Sequence, residues 1–302
     1  MVEQLKSDTV WLCGRVFTLQ ELLEIQETVR MFPKLTRHEL ANTLCENLEW
    51  LTPTGKYKTE SCFELLRKLE VKGLIQLPDK VKPGGKSSGT VPLTPRTEPS
   101  LEIAGSVAAV LPLKIEPVKG REQIKLWNEY VERYHPLGYK RPFGAHQRYF
   151  IVSRDNARLG CILFAASAWA LAPRDEWIGW NAEDRGRRLN LIINNSRFLI
   201  FPWVRLKNLA TKALSLVAKR IRSDWQKRYG YRPVLLETFV EKDKYSGACY
   251  RAANWIYLGE TTGRGRMNRT NKPEVPAKYI FIYPLSKDFR AHLLGQTDGV
   301  DK

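Results

Sequence analysis

Three consecutive segments constrain the fold more than any other part of the chain: "LNLIINNSRFLIF", "NLATKALSLVAKRIRSDWQKRYG" and "RPVLLETFV". The outer two are rich in branched and aromatic residues, as strands are. The middle one sets Leu209, Ala213, Leu216, Val217, Ile221 and Trp225 on one helical face and basic residues on the other, the pattern of a long amphipathic helix. Further strands are expected at "RYFIVSR", "GCILFAASAWAL" and "KYIFIYPL". Helical spacing recurs at Ile124, Trp127, Tyr130 and Val131, and a short helix fits "GACYRAANW". Residues 121–290 are therefore expected to form a mixed α/β domain, with 291–302 as a tail.

The segment "VKPGGKSSGTVPLTPRT" lacks apolar periodicity and reads as a linker, placed within 81–120. Upstream, Thr36 and Glu39 have capping-box spacing before Leu40, Ala41, Leu44, Cys45 and Leu48. After the turn residues Pro53 and Gly55, Cys62, Leu65, Leu66 and Leu69 predict a second helix ending at Gly73, and "LIQLP" predicts a strand. That order resembles a winged helix-turn-helix over residues 1–80. The whole chain is thus expected to be α+β, a winged-helix-like module joined to a mixed α/β domain.

Charge points to the partner. With 49 Lys and Arg against 32 Asp and Glu the net charge is +17, which suits a polyanion such as nucleic acid. No run reaches the ~18 apolar residues of a membrane span, and the N-terminus lacks a signal pattern, so a cytoplasmic location is expected. Cys13, Cys45, Cys62, Cys161 and Cys249 never form a C-x-x-C pair and read as reduced core residues.

Candidate DNA contacts fall in three places. Lys56, Lys58, Thr59, Arg67 and Lys68 lie on the second predicted helix of the small module, where a recognition helix meets DNA; the alternative is a solvated helical pair. Arg205, Lys207, Lys212 and Arg220 belong to the basic face of the long helix and its flank, which suits a phosphate backbone or plain solvent. Arg264 and Arg266 sit in "GETTGRGRMNRTNK", where glycine permits close phosphate approach, although a surface loop has the same composition.

Candidate chemistry centres on Glu237, a carboxylate inside an apolar strand that needs a cation or a raised pKa. With Asp243, and Asp175 from "PRDEW", it could hold Mg²⁺ or Mn²⁺ for phosphodiester hydrolysis; a salt bridge to Arg251, Arg148 or Arg197 is the structural alternative. His135 is a general-base candidate or a packed residue. Arg148, Asn194, Asn195, Arg197, Tyr250, Arg251 and Asn254 are candidate pocket residues, the asparagine pair equally fitting a turn. P-loop, H-E-x-x-H, G-x-S-x-G and dinucleotide motifs are absent.

The strings "HPLGYKRPFGAHQRYFIV", "DEWIGW", "NNSRFLIFPWVRLKNLA", "RPVLLETFV" and "CYRAANWIYLGETTGRGR" resemble the family of the Druantia anti-phage protein DruA and related transposase-associated domains, over about Arg121–Leu285. The resemblance implies a bacterial or phage-related protein of defence or mobile DNA, with other defence-system proteins as partners and a DNA-binding N-terminal module. Element order also resembles the N-acetyltransferase fold, but "WVRLKNLATKAL" stands where a glycine-rich pyrophosphate loop is expected. The expected function is recognition of foreign DNA, with metal-dependent cleavage; the alternatives are a non-enzymatic recognition subunit and an acyltransferase-like enzyme.

Overall fold

In the computed structural model, residues 9–296 are described, apart from 34, 54–55, 80–89, 143, 169–170 and 262–275. Their elements are, in chain order, β1 (Thr9–Leu12), β2 (Arg15–Thr18), α1 (Leu19–Met31), α2 (Arg37–Asn47), α3 (Thr59–Val71), β3 (Ile103–Ser106), β4 (Lys114–Pro117), α4 (Arg121–Tyr134), β5 (His146–Val152), β6 (Arg158–Ala166), α5 (Ala172–Ile178), α6 (Ala182–Arg188), β7 (Ile192–Ile200), β8 (Val204–Lys207), α7 (Leu209–Tyr229), β9 (Leu235–Glu241), α8 (Ala248–Ala252), β10 (Ile256–Glu260), β11 (Lys278–Pro284) and α9 (Phe289–Leu293).

Seven strands form one sheet in the order β10-β11-β9-β7-β6-β5-β4. Every neighbouring pair is antiparallel except β7 and β9, which run parallel over Ile192–Asn194 and Leu235–Glu237. The crossover between these two is α7, as a parallel connection requires. Alternation along β5 fixes the layers. Tyr149 reaches Asp224 of α7, whereas Arg148 and Phe150 meet Trp127 and Tyr130 of α4, so the two helices cover opposite faces.

The first expected helix forms as its capping signal predicts. Thr36 and Glu39 close a capping box on α2, and Thr18 with Glu21 does the same for α1. The expected winged arrangement is not confirmed among the described residues. The hairpin β1–β2 precedes the helices, "LIQLP" forms no strand, and α2 and α3 are separated by residues 48–58, pinned by a Leu51–Tyr57 bridge. Trp50 in that connection packs edge-on against Phe17, which favours the long excursion over a tight turn.

The helices also share their core with the α/β domain. Phe32 meets Tyr231 at 5.3 Å between ring centroids, and one apolar cluster runs from Phe17 to Phe281. Much of the expected linker is built in as well. Ile115 of β4 is buried at the sheet edge, and β3 pairs parallel with β8. Buried Glu129 of α4 accepts from the Thr97 hydroxyl at 2.7 Å and from Thr94, fastening residues 94–97. The expected tail begins inside α9, whose Phe289 and Leu293 are buried against Ile178, Trp180 and Ile282. Among the described residues, no helix is long and apolar enough to cross a membrane.

Candidate functional site

Asn194, Asn195, Arg197, Glu237 and Tyr250 gather where β7 leaves β9, whereas Asp243, Arg251 and Asn254 are exposed. A bulge decides the faces of the gathered residues. Across β6 and β7, Phe164 opposes Asn195 and Leu163 opposes Arg197, so Ser196 is the extra residue. Residues opposite one another share a face. The inserted residue therefore moves Arg197 off the face of Asn195 and onto that of Arg148, Leu163, Asn194 and Glu237.

On the face covered by α7 and α8 the polar groups close on themselves. Tyr250 Oη donates to Asn195 Oδ1 at 2.8 Å, Asn195 Nδ2 donates to the Leu163 and Arg197 carbonyls, and the Thr238 hydroxyl donates to the Asn195 carbonyl. Burial pushes the Tyr250 phenol well above its ordinary pKa, so it stays a neutral donor. This is a satisfied network that fills the gap between the diverging strands.

On the other face lies the expected acid. Glu237 is 0% exposed; its Oε1 accepts from the Ala168 N–H at 2.7 Å and its Oε2 from Arg174 Nη1 at 2.8 Å. Arg174, also 0% exposed, reaches Asp175 Oδ1 through Nε and Nη2 and lies over the Trp180 ring, while Arg185 approaches the second Asp175 oxygen at 3.3 Å. The structure thus does bring Glu237 and Asp175 to a common cation, and that cation is a guanidinium of the chain. The partner is neither Arg251, Arg148 nor Arg197. Asp243 is exposed on the turn after β9, apart from both carboxylates. Among the described residues, no group of three or more His, Cys, Asp or Glu is placed to hold a metal.

His135 follows α4, and its Nδ1 accepts from the Leu137 N–H at 3.1 Å. Burial, then the adjacent Arg197, lower its pKa to about 4, so it is neutral and a poor base near pH 7. Arg251 is exposed and stacks on Tyr257 and Phe281. Asn254 is exposed at positive φ beyond α8, beside an open pocket of about 380 Å³ that Lys212 and Asn208 also line.

The expected DNA contacts divide sharply. On α3, Arg67 and Lys68 both pair with Glu64, Thr59 Oγ1 donates to Asn42 Oδ1, Lys58 is half-buried at the helix start and Lys56 is exposed. Arg205 pairs with Glu102, and Arg220 clamps Asp224 while donating to the Ile115 carbonyl, tying α7 to β4. Lys207 and Lys212 are exposed. Arg264 and Arg266 lie outside the described residues.

The profile of the family described as Druantia protein DruA matches residues 68–273. The chain belongs to the DruA family. Within this DruA chain the matched span covers α4, the whole central sheet up to β10 and the Glu237–Arg174 pair. Comparison with curated proteins found no match. Similar solved structures include spermidine N-acetyltransferase from Vibrio cholerae, at 9% identity over 58% of this chain and 96% of that one with a TM-score of 0.37. Tetrahymena GCN5 is similar at 12% identity over 57% and 97%, with a TM-score of 0.31. The order and direction of its strands, rather than these matches, define the DruA domain.

Sequence reasoning missed Arg174, although it adjoins Asp175 in an apolar, tryptophan-containing run. A buried carboxylate at position 237 requires such a partner. It missed Thr238 for a different reason, since nothing local marks it as facing Asn195, three elements away on β7, and it missed Tyr139, whose partner Arg148 lies on the next strand.

Proposed function

We propose that this chain is a DNA-binding member of an anti-phage defence set, acting by recognition and transfer of DNA to partner proteins rather than by cutting it. Membership of the DruA family supports the defence role. One observation carries the binding surface: Lys212, Lys219 and Lys227 are exposed along the outer side of α7, with no ion pair to any of them among the described residues. They form a stripe about 22 Å long, on the scale of a DNA backbone segment. The helix's sole acid, Asp224, is turned inward to Arg220 and Tyr149, so nothing on the helix itself neutralises the stripe. Exposed Lys207 extends it from β8.

Fluorescence anisotropy with labelled single- and double-stranded DNA across a salt series tests this reading. Binding should weaken steeply with salt, and a triple Lys212→Glu, Lys219→Glu, Lys227→Glu variant should reduce the log–log slope by about two to three. An unchanged slope removes α7 from the interface. Parallel reactions with Mg²⁺, Mn²⁺ and EDTA should leave the DNA intact. Metal-dependent fragments would instead return hydrolysis to the foreground and call for single substitutions at Glu237, Asp175 and Asp243.

A further inference from the structure

Arg148 is a buried cation without an anion. Only 7% of it is exposed, yet its described contacts are a 3.4 Å approach of Nη2 to Tyr139 Oη and a Trp127 ring 5.4 Å from its guanidinium carbon. Its Nε is buried with no partner. Arg197, in the same row across Leu163, donates only to carbonyls, those of Gly138 at 3.1 Å and Ser196 at 2.7 Å. Among the described residues neither guanidinium has a carboxylate within 4 Å.

Burying one guanidinium unpaired is costly, and placing a second on the same face compounds the cost. Adjacent strands are about 4.8 Å apart, so the two Cα atoms stand roughly 10 Å apart and the long side chains can converge above Leu163. The loop after α4 roofs the row, because Gly138 is fastened to Arg197 and Tyr139 approaches Arg148. Further polar atoms nearby are uncommitted: Asn194 Oδ1 and Ser196 Oγ are buried without partners on the same stretch of β7. Acids of the surrounding elements are already engaged, Glu132 by the Tyr139 N–H at 2.7 Å, Glu237 by Arg174 and Glu39 by Thr36.

We propose that Arg148 and Arg197 form a binding site for a phosphate monoester, roofed by the loop after α4. A monoester dianion brings three acceptor oxygens and close to two charges, matching two forked cations and the Tyr139 hydroxyl better than a carboxylate does. Burial admits a terminal group and excludes a diester flanked by chain on both sides. The source is either a free nucleotide or the 5′-phosphate of a DNA end. The site lies on the sheet face opposite α7 and stands or falls independently of the lysine stripe.

Isothermal titration of the full chain decides it, with inorganic phosphate, dAMP, deoxyadenosine, a short oligonucleotide with and without a 5′-phosphate, and acetate. The expected result is that dAMP or the phosphorylated oligonucleotide binds about tenfold or more tightly than its unphosphorylated counterpart, and that Arg148→Met and Arg197→Met abolish the difference. Response to dAMP identifies a nucleotide source; response to the phosphorylated oligonucleotide alone identifies a DNA end. Tyr139→Phe leaves both guanidiniums in place and should weaken the phosphate preference about threefold, which keeps the test informative if an arginine variant fails to fold. Equal binding with and without phosphate, binding of acetate as tight as phosphate, or a preference that survives both arginine variants would overturn the proposal.

Discussion

Arg174 and Arg148 make a controlled comparison. Both are buried arginines of one sheet-centred core, and each faces a tryptophan ring, Trp180 at 5.6 Å and Trp127 at 5.4 Å. Arg174 also touches two carboxylates and a carbonyl, so its charge is neutralised and most of its donors are bonded. Arg148 has a ring and one distant hydroxyl. The lesson is that burial alone does not make a cation structural; the placement of its counter-charge does. A charge matched within the fold holds the fold together, and one left unmatched is available to a ligand.

The largest expected effect tests the matched half. Arg174→Met strands the Glu237 carboxylate and should destabilise by about 3–5 kcal/mol in urea unfolding. Glu237→Gln leaves the guanidinium still holding Asp175 and should cost less. A double Arg174→Met, Glu237→Leu variant should recover part of the loss, because no lone charge remains at position 237. If Arg174→Met is silent, the pair is not structural and Glu237 returns as a candidate acid.

A smaller effect is expected on the opposite face of the sheet. Tyr250→Phe removes the only described donor to Asn195 Oδ1 and should cost about 1–2 kcal/mol, read from the same denaturation curves. A change under a few tenths would mean that the network is redundant packing.

Smaller still is a pH effect at the unmatched half. His146 lies beside Arg148, and burial with that charge lowers its pKa to about 3, even though Glu39 Oε1 is 3.5 Å from Nδ1. The unfolded chain takes up this proton near pH 6.5 and the folded chain does not, so stability falls as pH drops from about 6.5 toward 3. Between pH 7 and pH 6 the loss should be about 0.5–1 kcal/mol, and His146→Asn should remove that part of the slope.

The last expected effect is close to zero, and it is the most informative. Arg148→Met without ligand should shift the melting temperature by no more than about 2 °C, because it deletes an unmatched charge and keeps the aliphatic bulk. A fall comparable to that of Arg174→Met would erase the contrast between the two arginines.

Much of this architecture was legible in the chain. Five strands and α7 were readable because Ile193, Leu236 and Ile280 recur within branched, aromatic runs, and because the apolar positions of α7 keep helical phase over 21 residues. β4 was hidden: "KIEP" is short, and only Ile115 of it is buried. The shared core was hidden too, since Phe32 and Tyr231 are 199 residues apart and no local pattern couples them. At the site, Glu237 announced a buried charge, but the identity of its partner depends on how the chain after β6 folds back. Arg148 and Arg197 could be read as pocket candidates, whereas their common face depends on the bulge at Ser196, and a bulge leaves no compositional mark.

The meeting of β7 and β9 over only three residue pairs has a mechanical consequence. The sheet is two plates, β4 to β7 and β9 to β10, riveted at one corner and held elsewhere by the clasp of Asn195, Thr238 and Tyr250 on one face and by Glu237 with Ala168 and Arg174 on the other. A load applied across that seam is carried by a few bonds in sequence rather than by many in parallel. The seam is therefore the shortest line of backbone pairing in the sheet, and a cleavage in the segment between α7 and β9 divides the chain into two pieces, each carrying one plate.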